Sequence, residues 1–114
     1  MHELAVTQSV VDMVVEGTIG RHVVSVRLEV GKLSGVVPDA MMFCYDLATA
    51  GTPLEGSTLE IHQTGGRASC GSCGTTFDTD DLILLCPCGS ADVRIVAGRE
   101  LLVTSVLLME ESCA

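Results

Sequence analysis

The sequence predicts an α/β fold in which a small sheet of about three strands carries two helices and a compact cysteine-bearing segment is inserted between strands. Three observations predict it. Apolar residues recur at helical spacing over Glu3 to Gly17 and Asp39 to Ala50, they alternate with polar residues around Val26 and Leu59, and four of the six cysteines crowd between Cys70 and Cys88. The expected division is a discontinuous α/β domain of residues 1–66 and 98–114 around a subdomain of residues 67–97, with Gly65-Gly66 at the crossing point.

In the first helix, valines stand in pairs at 10/11 and 14/15 with Leu4 one heptad before Val11, while Gln8, Asp12 and Glu16 step along the other side. So many valines lower intrinsic helix propensity, so packing must hold this helix, and Gly17 with Gly20 is expected to end it. From His22 to Gly31 the chain alternates: Val24, Val26, Leu28 and Val30 on one face, Ser25, Arg27 and Glu29 on the other. That pattern is a half-buried strand. Pro38 suits the first turn of a second helix, where a missing N–H costs little, and Gly51-Thr52-Pro53 stops it. Leu59-Glu60-Ile61-His62 alternates as a second strand. Val93 to Val96 and Leu101 to Met109 read as further strands, the last apolar enough to be expected at the centre of a sheet.

Composition bounds the chemistry. With 47% apolar residues but two Phe, one Tyr and no Trp, the core of this 114-residue chain must be built from Val, Leu, Ile and Met. Six basic residues against fifteen acids give a formal charge of −9, which argues against nucleic acid as a partner, because that affinity comes largely from Lys and Arg replacing counterions. There is no apolar run long enough to span a membrane and no basic-then-apolar start, so no membrane role is expected and the reducing cytoplasm is the expected compartment. Nucleophile elbow, phosphate loop and dinucleotide fingerprint are all absent from the sequence, and no catalytic residue is assigned.

The thiol segment is the strongest chemical signal. Cys70-Gly71-Ser72-Cys73-Gly74 and Cys86-Pro87-Cys88-Gly89 are two close pairs of thiols, each followed by a glycine that lets the backbone turn and aim N–H groups at sulfur. This is the sequence form of a four-thiolate zinc site and makes the insert zinc-ribbon-like. A disulfide framework fits poorly, since Cys86 and Cys88 are too close for an unstrained bridge and nothing suggests secretion. The second pair has a one-residue gap, which tightens its turn and leaves fewer N–H groups able to reach sulfur. Of the remaining cysteines, Cys44 reads as a small core residue and Cys113 as a free thiol.

At the other end, the Met1 amine, the His2 amide nitrogen and the His2 imidazole can close fused chelate rings on one metal ion, with the Glu3 amide as a further donor. Nitrogen ligands in a plane suit Ni(II) or Cu(II) rather than tetrahedral zinc. The plain alternatives are that His2 is an ordinary terminal residue and that Glu3 complements the positive end of the first helix. Asp39 is read as a first-turn helix acid, with an oxygen donor to metal as the minority reading; His22 and His62 are read as solvated.

Met1-His2-Glu3-Leu4, the run Leu28-Glu29-Val30-Gly31-Lys32-Leu33-Ser34-Gly35-Val36-Val37-Pro38, the two cysteine pairs and Gly98-Arg99-Glu100-Leu101 together resemble the HypA/HybF family of hydrogenase maturation factors, over essentially the whole chain. The resemblance implies a nickel metallochaperone that binds Ni(II) at its N-terminus through Met1, His2 and Glu3. It implies delivery, with the GTPase HypB, to the large subunit of a [NiFe]-hydrogenase, and in some members service to urease. It further implies a structural Zn(II) at Cys70, Cys73, Cys86 and Cys88, and Asp39 as an accessory nickel ligand. The family pattern in the second knuckle is Cys-Pro-x-Cys, one residue longer than Cys86-Pro87-Cys88. On this reading residues 1–66 and 98–114 handle nickel, residues 67–97 bind zinc, and the chain is a monomer or weak homodimer. The competing reading is a zinc-ribbon adaptor that mediates protein–protein contact; a zinc hydrolase is disfavoured because four thiolates leave no open position for water.

Overall fold

The computed structural model describes residues 3–81 and 83–109. Its elements run α1 (Glu3–Gly17), β1 (Val23–Gly31), α2 (Pro38–Thr49), β2 (Thr58–Thr64), β3 (Gly66–Cys70), β4 (Thr76–Thr79), β5 (Val93–Ala97) and β6 (Leu101–Leu108). There are two three-stranded sheets, of order β2-β1-β6 and β4-β3-β5. The expected architecture of two helices, a small sheet and a zinc-ribbon-like insert is present. The backbone divides into two compact units, one of Met1–Leu28, Val37–Ile61 and Val103–Ala114, the other of Glu29–Val36 and His62–Leu102.

In the first unit α1 packs against α2. Thr7, Val10, Val11 and Val14 form the buried stripe of α1, and Met41, Tyr45, Ala48 and Thr49 that of α2. Burying threonines in a helix would strand their hydroxyls, but Thr7 donates to the Glu3 carbonyl at 2.6 Å and Thr49 to the Tyr45 carbonyl at 2.8 Å. Val37 enters α2 in an extended conformation and Pro38 takes the first turn, as the sequence predicts. The end of α1 differs in detail. Ile19 adopts φ 55° and is 90% exposed, while Gly20 N–H reaches back to the Val15 carbonyl and Ile19 N–H to the Glu16 carbonyl. The left-handed residue that closes the helix is therefore a β-branched one, a costly choice for that position.

β1 is the central strand of its sheet and supplies buried Val26, Leu28 and Val30. Its expected alternation slips at the start: Val23 is buried and Val24 exposed, because Val23 is drawn in where its N–H donates to the Pro53 carbonyl. β6, expected at the centre, lies at an edge instead. The chain returns from the insert to the open side of β1, the other side being occupied by β2, so the apolar content of β6 does not bring two neighbours with it.

In the second unit β3 pairs antiparallel with β4, from Gly66↔Thr79 to Ser69↔Thr76, and with β5, from Arg67↔Ala97 to Cys70↔Val93, with an irregularity between Arg67 and Ala68. The strand expected at Val93 to Val96 thus belongs to this second sheet. Three backbone segments meet tightly beside it. Gly31 N–H donates to the Glu100 carbonyl at 2.7 Å, Leu33 N–H to the Gly98 carbonyl at 2.8 Å and Lys32 N–H to the Thr64 carbonyl at 3.0 Å. A Cβ on Gly31 would overlap the Gly98 carbonyl, and Gly98 itself sits at φ 107° with no room for a side chain against the Gly66 Cα.

Candidate metal centre

Both cysteine pairs lie at one end of the β4-β3-β5 sheet, where β3 finishes and β4 and β5 begin. Cys70 is the last residue of β3, and its ladder partner Val93 opens β5. Directly after Cys70, Gly71 N–H donates to the Asp92 carbonyl at 2.8 Å, which carries the ladder into the first knuckle. Cys70 N–H donates to the Thr75 carbonyl at 2.9 Å, Gly74 N–H returns to the Cys70 carbonyl at 3.0 Å, and Cys73 N–H points at the Cys70 sulfur at 3.5 Å. The second knuckle repeats the scheme one residue shorter. Cys86 N–H donates to the Ser90 carbonyl at 3.0 Å, Gly89 N–H returns to the Cys86 carbonyl at 2.8 Å, and Cys88 N–H points at the Cys86 sulfur at 3.4 Å. Each turn closes on a glycine with positive φ, 76° at Gly74 and 94° at Gly89.

The four sulfurs of Cys70, Cys73, Cys86 and Cys88 lie within 4.8 Å of one another. Cross-knuckle separations are 3.8 Å for Cys70 and Cys88 and 3.6 Å for Cys73 and Cys86. Cys70 and Cys86 are buried, Cys73 and Cys88 exposed. The Ser72 and Ser90 hydroxyls, 2.8 Å apart, join the two knuckles on the outside.

The thiols are not equivalent. Hydrogen bonds from the Thr75 side chain and backbone, then from the neighbouring thiols, bring Cys73 down to about 6. The N–H of Cys73, opposed by burial and helped by the N–H of Ser72, lowers Cys70. At Cys86 the largest single influence, the Cys88 N–H, pulls downward, but burial and the thiols of Cys88, Cys73 and Cys70 together push it up to about 12. Pro87 stands where the first knuckle has Ser72 and has no N–H to give. Four sulfurs this close cannot all carry charge without a cation among them. A closed set of four soft thiol donors, two of them already receiving backbone N–H groups, fits a structural zinc ion.

The other sequence candidates are dispersed. Met1, His2 and Cys113 lie outside the described residues. Glu3 is the first residue of α1, with its carbonyl held by Thr7. Asp39 is exposed in the first turn of α2, and His22 and His62 are exposed. Cys44, expected in the core, is only half-buried, because the buried stripe of α2 runs through Met41 and Tyr45 and leaves Cys44 on its flank. Sequence reasoning missed Glu100, whose carboxylate accepts the Gly98 N–H at 3.0 Å and the Thr64 hydroxyl at 3.1 Å and is held below the usual carboxylate range by those bonds, the Gly98 N–H first. It also missed the Ser72–Ser90 link, for which the only sequence signal is a serine two residues after the first cysteine of one pair and the second of the other.

Comparison with known proteins supplies the rest. The family model described as "Hydrogenase/urease nickel incorporation, metallochaperone, hypA" matches residues 1–108. The chain belongs to the HypA family. Among curated relatives, the hydrogenase maturation factor HypA of Geobacter sulfurreducens is 47% identical over 102 residues, covering 89% of this chain and 93% of the relative. That of Nostoc punctiforme is 42% identical over 113 residues, covering 99% of each. The solution structure of the Ni metallochaperone HypA from Helicobacter pylori superposes with a TM-score of 0.67 over 97% of this chain and 100% of the other; at 21% identity that likeness speaks for the fold. HypA proteins are nickel metallochaperones for hydrogenase maturation. Among the described residues no helix is long and apolar enough to cross a membrane.

Proposed function

We propose that this chain takes up Ni(II) at its N-terminus and delivers it for assembly of a [NiFe]-hydrogenase, while zinc held by Cys70, Cys73, Cys86 and Cys88 fixes the fold of the insert. The observation that carries the reading is the family match, which begins at residue 1 and so takes in Met1-His2-Glu3. The Met1 amine, the His2 amide and imidazole nitrogens and the Glu3 amide are the nickel donors. Planar nitrogen ligation selects by geometry, and a chain end can release its cargo without breaking a core. Asp39, exposed at the start of α2, is the accessory oxygen donor. Residues 1–66 and 98–114 are the nickel-handling part and residues 67–97 the zinc-binding insert.

The partners on this reading are the GTPase HypB and the hydrogenase large subunit, with urease as a further client, and the setting is the reducing cytoplasm, where the thiols stay free for metal. The test is titration calorimetry with Ni(II) on wild type and His2→Ala, alongside metal analysis. His2→Ala abolishes nickel binding and keeps zinc at about one per chain, the content of a single closed four-thiolate site. One residue added ahead of Met1 has the same effect, because it displaces the amine. Unchanged nickel affinity in both variants would defeat terminal chelation.

A further inference from the structure

Around the four sulfurs, the two knuckles are joined by a ring of hydrogen bonds that contains no thiol. Gly71 N–H donates to the Asp92 carbonyl at 2.8 Å, and Asp92 N–H donates in turn to the Ser90 hydroxyl at 3.1 Å. The Ser90 hydroxyl lies 2.8 Å from that of Ser72, and the peptide bond from Gly71 to Ser72 closes the ring. Ser90 also holds its own knuckle shut, because its carbonyl accepts the Cys86 N–H at 3.0 Å. One half-buried residue therefore ties the closure of the shorter knuckle both to the start of β5 and to the other knuckle.

The plain alternative is that two surface serines happen to touch. An isolated exposed hydroxyl pair stabilises little, because water replaces either partner. Place and connectivity argue for more. Cys70 and Cys86 are buried while Cys73 and Cys88, one from each knuckle, are exposed, so a competing ligand reaches the cage past the exposed pair. Ser72 immediately precedes Cys73, and Ser90 stands two residues after Cys88. The hydroxyl link thus joins the backbone beside the two sulfurs at which removal of an ion must begin. A thiolate that lets go of the ion while the ring is closed stays beside it and rebinds; with the ring open its knuckle can swing away, and a competing ligand completes the removal.

On the reading that zinc fills the four-thiol cage, we infer that Ser72 and Ser90 are positioning residues for the ion: their hydroxyls, with the Asp92 N–H, latch the exposed ends of the two knuckles together and slow zinc release. Neither serine touches the metal. Zinc retention is therefore set in part by two hydroxyls that are not ligands, and it can be weakened without altering the ligand set. Ser90 has the larger share, since losing its hydroxyl breaks two members of the ring where losing that of Ser72 breaks one.

The test is the rate of zinc transfer from the full, loaded chain to an excess of the chromophoric chelator pyridylazoresorcinol, with metal analysis before mixing. Ser72→Ala speeds release about threefold and Ser90→Ala about tenfold, the effects of losing one and two neutral hydrogen bonds of ordinary net strength. The double variant releases no faster than Ser90→Ala, because both substitutions break the same link, and Ser72→Thr, which keeps the hydroxyl, releases at the wild-type rate. Asp78→Asn weakens the Arg67–Asp78 ion pair on the same sheet without touching the ring, and leaves the rate unchanged. Co(II) in place of zinc gives the same ligand-field bands in wild type and variants. A loaded Ser90→Ala chain that releases zinc at the wild-type rate overturns the inference. So does a double variant in which the two effects multiply, since the hydroxyls then do not act as a pair, or an Asp78→Asn chain as fast as Ser90→Ala, since any loosening of the sheet then suffices. Altered Co(II) bands would make the serines part of the ligand geometry and not a latch. A wild type that carries no zinc would defeat the zinc reading itself, and the latch with it.

Discussion

Replacing Gly31 by alanine is the most direct test of how the chain is laid out. An added methyl would overlap the Gly98 carbonyl and come within 2.8 Å of the Arg99 nitrogen, both of them backbone atoms that cannot rotate away. Relief requires the two segments to separate. Separation strains the bonds from Gly31 N–H to Glu100 at 2.7 Å and from Leu33 N–H to Gly98 at 2.8 Å. Overpacking of this kind costs about 1–3 kcal/mol, and each weakened hydrogen bond up to about 1 kcal/mol. The expected loss is therefore about 3 kcal/mol, against a total stability of roughly 5–15 kcal/mol for a domain of this size. In melting temperature that is a fall of roughly 10 °C.

The assay is urea unfolding of zinc-saturated protein followed by far-ultraviolet circular dichroism, with amide exchange at Lys32 and Leu33 as the local probe. Gly17→Ala is the control, because nothing lies within 4 Å of a Cβ there and the residue ends α1 without a positive φ. It should be neutral or gain about 0.5–1 kcal/mol from the lost flexibility of the unfolded chain. If Gly31→Ala matches wild type to within about 0.5 kcal/mol, the scatter expected for an ordinary surface change, and exchange at Leu33 is unaltered, the close approach of these segments is wrong.

Three further outcomes are expected. Glu100 is held below its ordinary value of 4.5 in the folded chain, so its contribution is present above that value and is lost as pH falls through the lower folded one; Glu100→Gln should flatten the acid limb of the stability curve there, and a limb that keeps the wild-type slope would deny the carboxylate its role. Chelation of zinc should accelerate amide exchange throughout β3, β4 and β5 while α1 and α2 stay protected, because the first unit buries Val10, Val11, Val14, Val26, Leu28, Met41 and Leu54 among others whereas the second, its cysteines aside, buries only Val30, Leu33, Val36 and Ala68 of its described apolar residues; uniform acceleration would contradict separate stabilisation. Tyr45→Phe should cost about 1 kcal/mol in denaturant unfolding, since the buried phenol shares a 2.6 Å hydrogen bond with Ser57, and a neutral result would mean that Ser57 repairs its bonding elsewhere.

What was legible in the sequence follows from which forces shape each part. α1, α2, β1 and β2 are held by apolar burial on one face, and burial writes itself into the chain as a period of 3.6 or 2. The four clustered cysteines were legible because a cage of this kind needs its thiols in close pairs. β3 and β4 were not: Arg67, Ser69, Thr76 and Asp78 show no apolar alternation, and that sheet is stitched by backbone pairing and by the knuckles at its end. β6 was read as central from its leucines and valines, yet composition cannot say how many neighbours a strand acquires. Glu100 escaped notice because its value lies in Gly98 and Thr64, one two residues away and the other thirty-six, and only the fold brings both to its carboxylate.

The one-residue gap between Cys86 and Cys88 is the point at which the two knuckles of this chain differ, and their hydrogen bonds show how the shorter one closes. The first closes from Cys70 to Thr75 and the second from Cys86 to Ser90, so the missing residue comes out of the loop while both closing hydrogen bonds survive. The four sulfurs still converge within 4.8 Å, because the first knuckle is anchored to the ladder through Gly71 and Asp92 and the second is tied to that same stretch through Ser90, whose hydroxyl accepts the Asp92 N–H. What does not survive is a donor. Ser72 offers an N–H to its cysteine and Pro87 cannot, a smaller influence than the Cys73 N–H that lowers Cys70 and than the burial and neighbouring thiols that raise Cys86. The shorter knuckle thus keeps its closing hydrogen bond, and a cation among the four sulfurs would offset the crowding of thiols that raises Cys86.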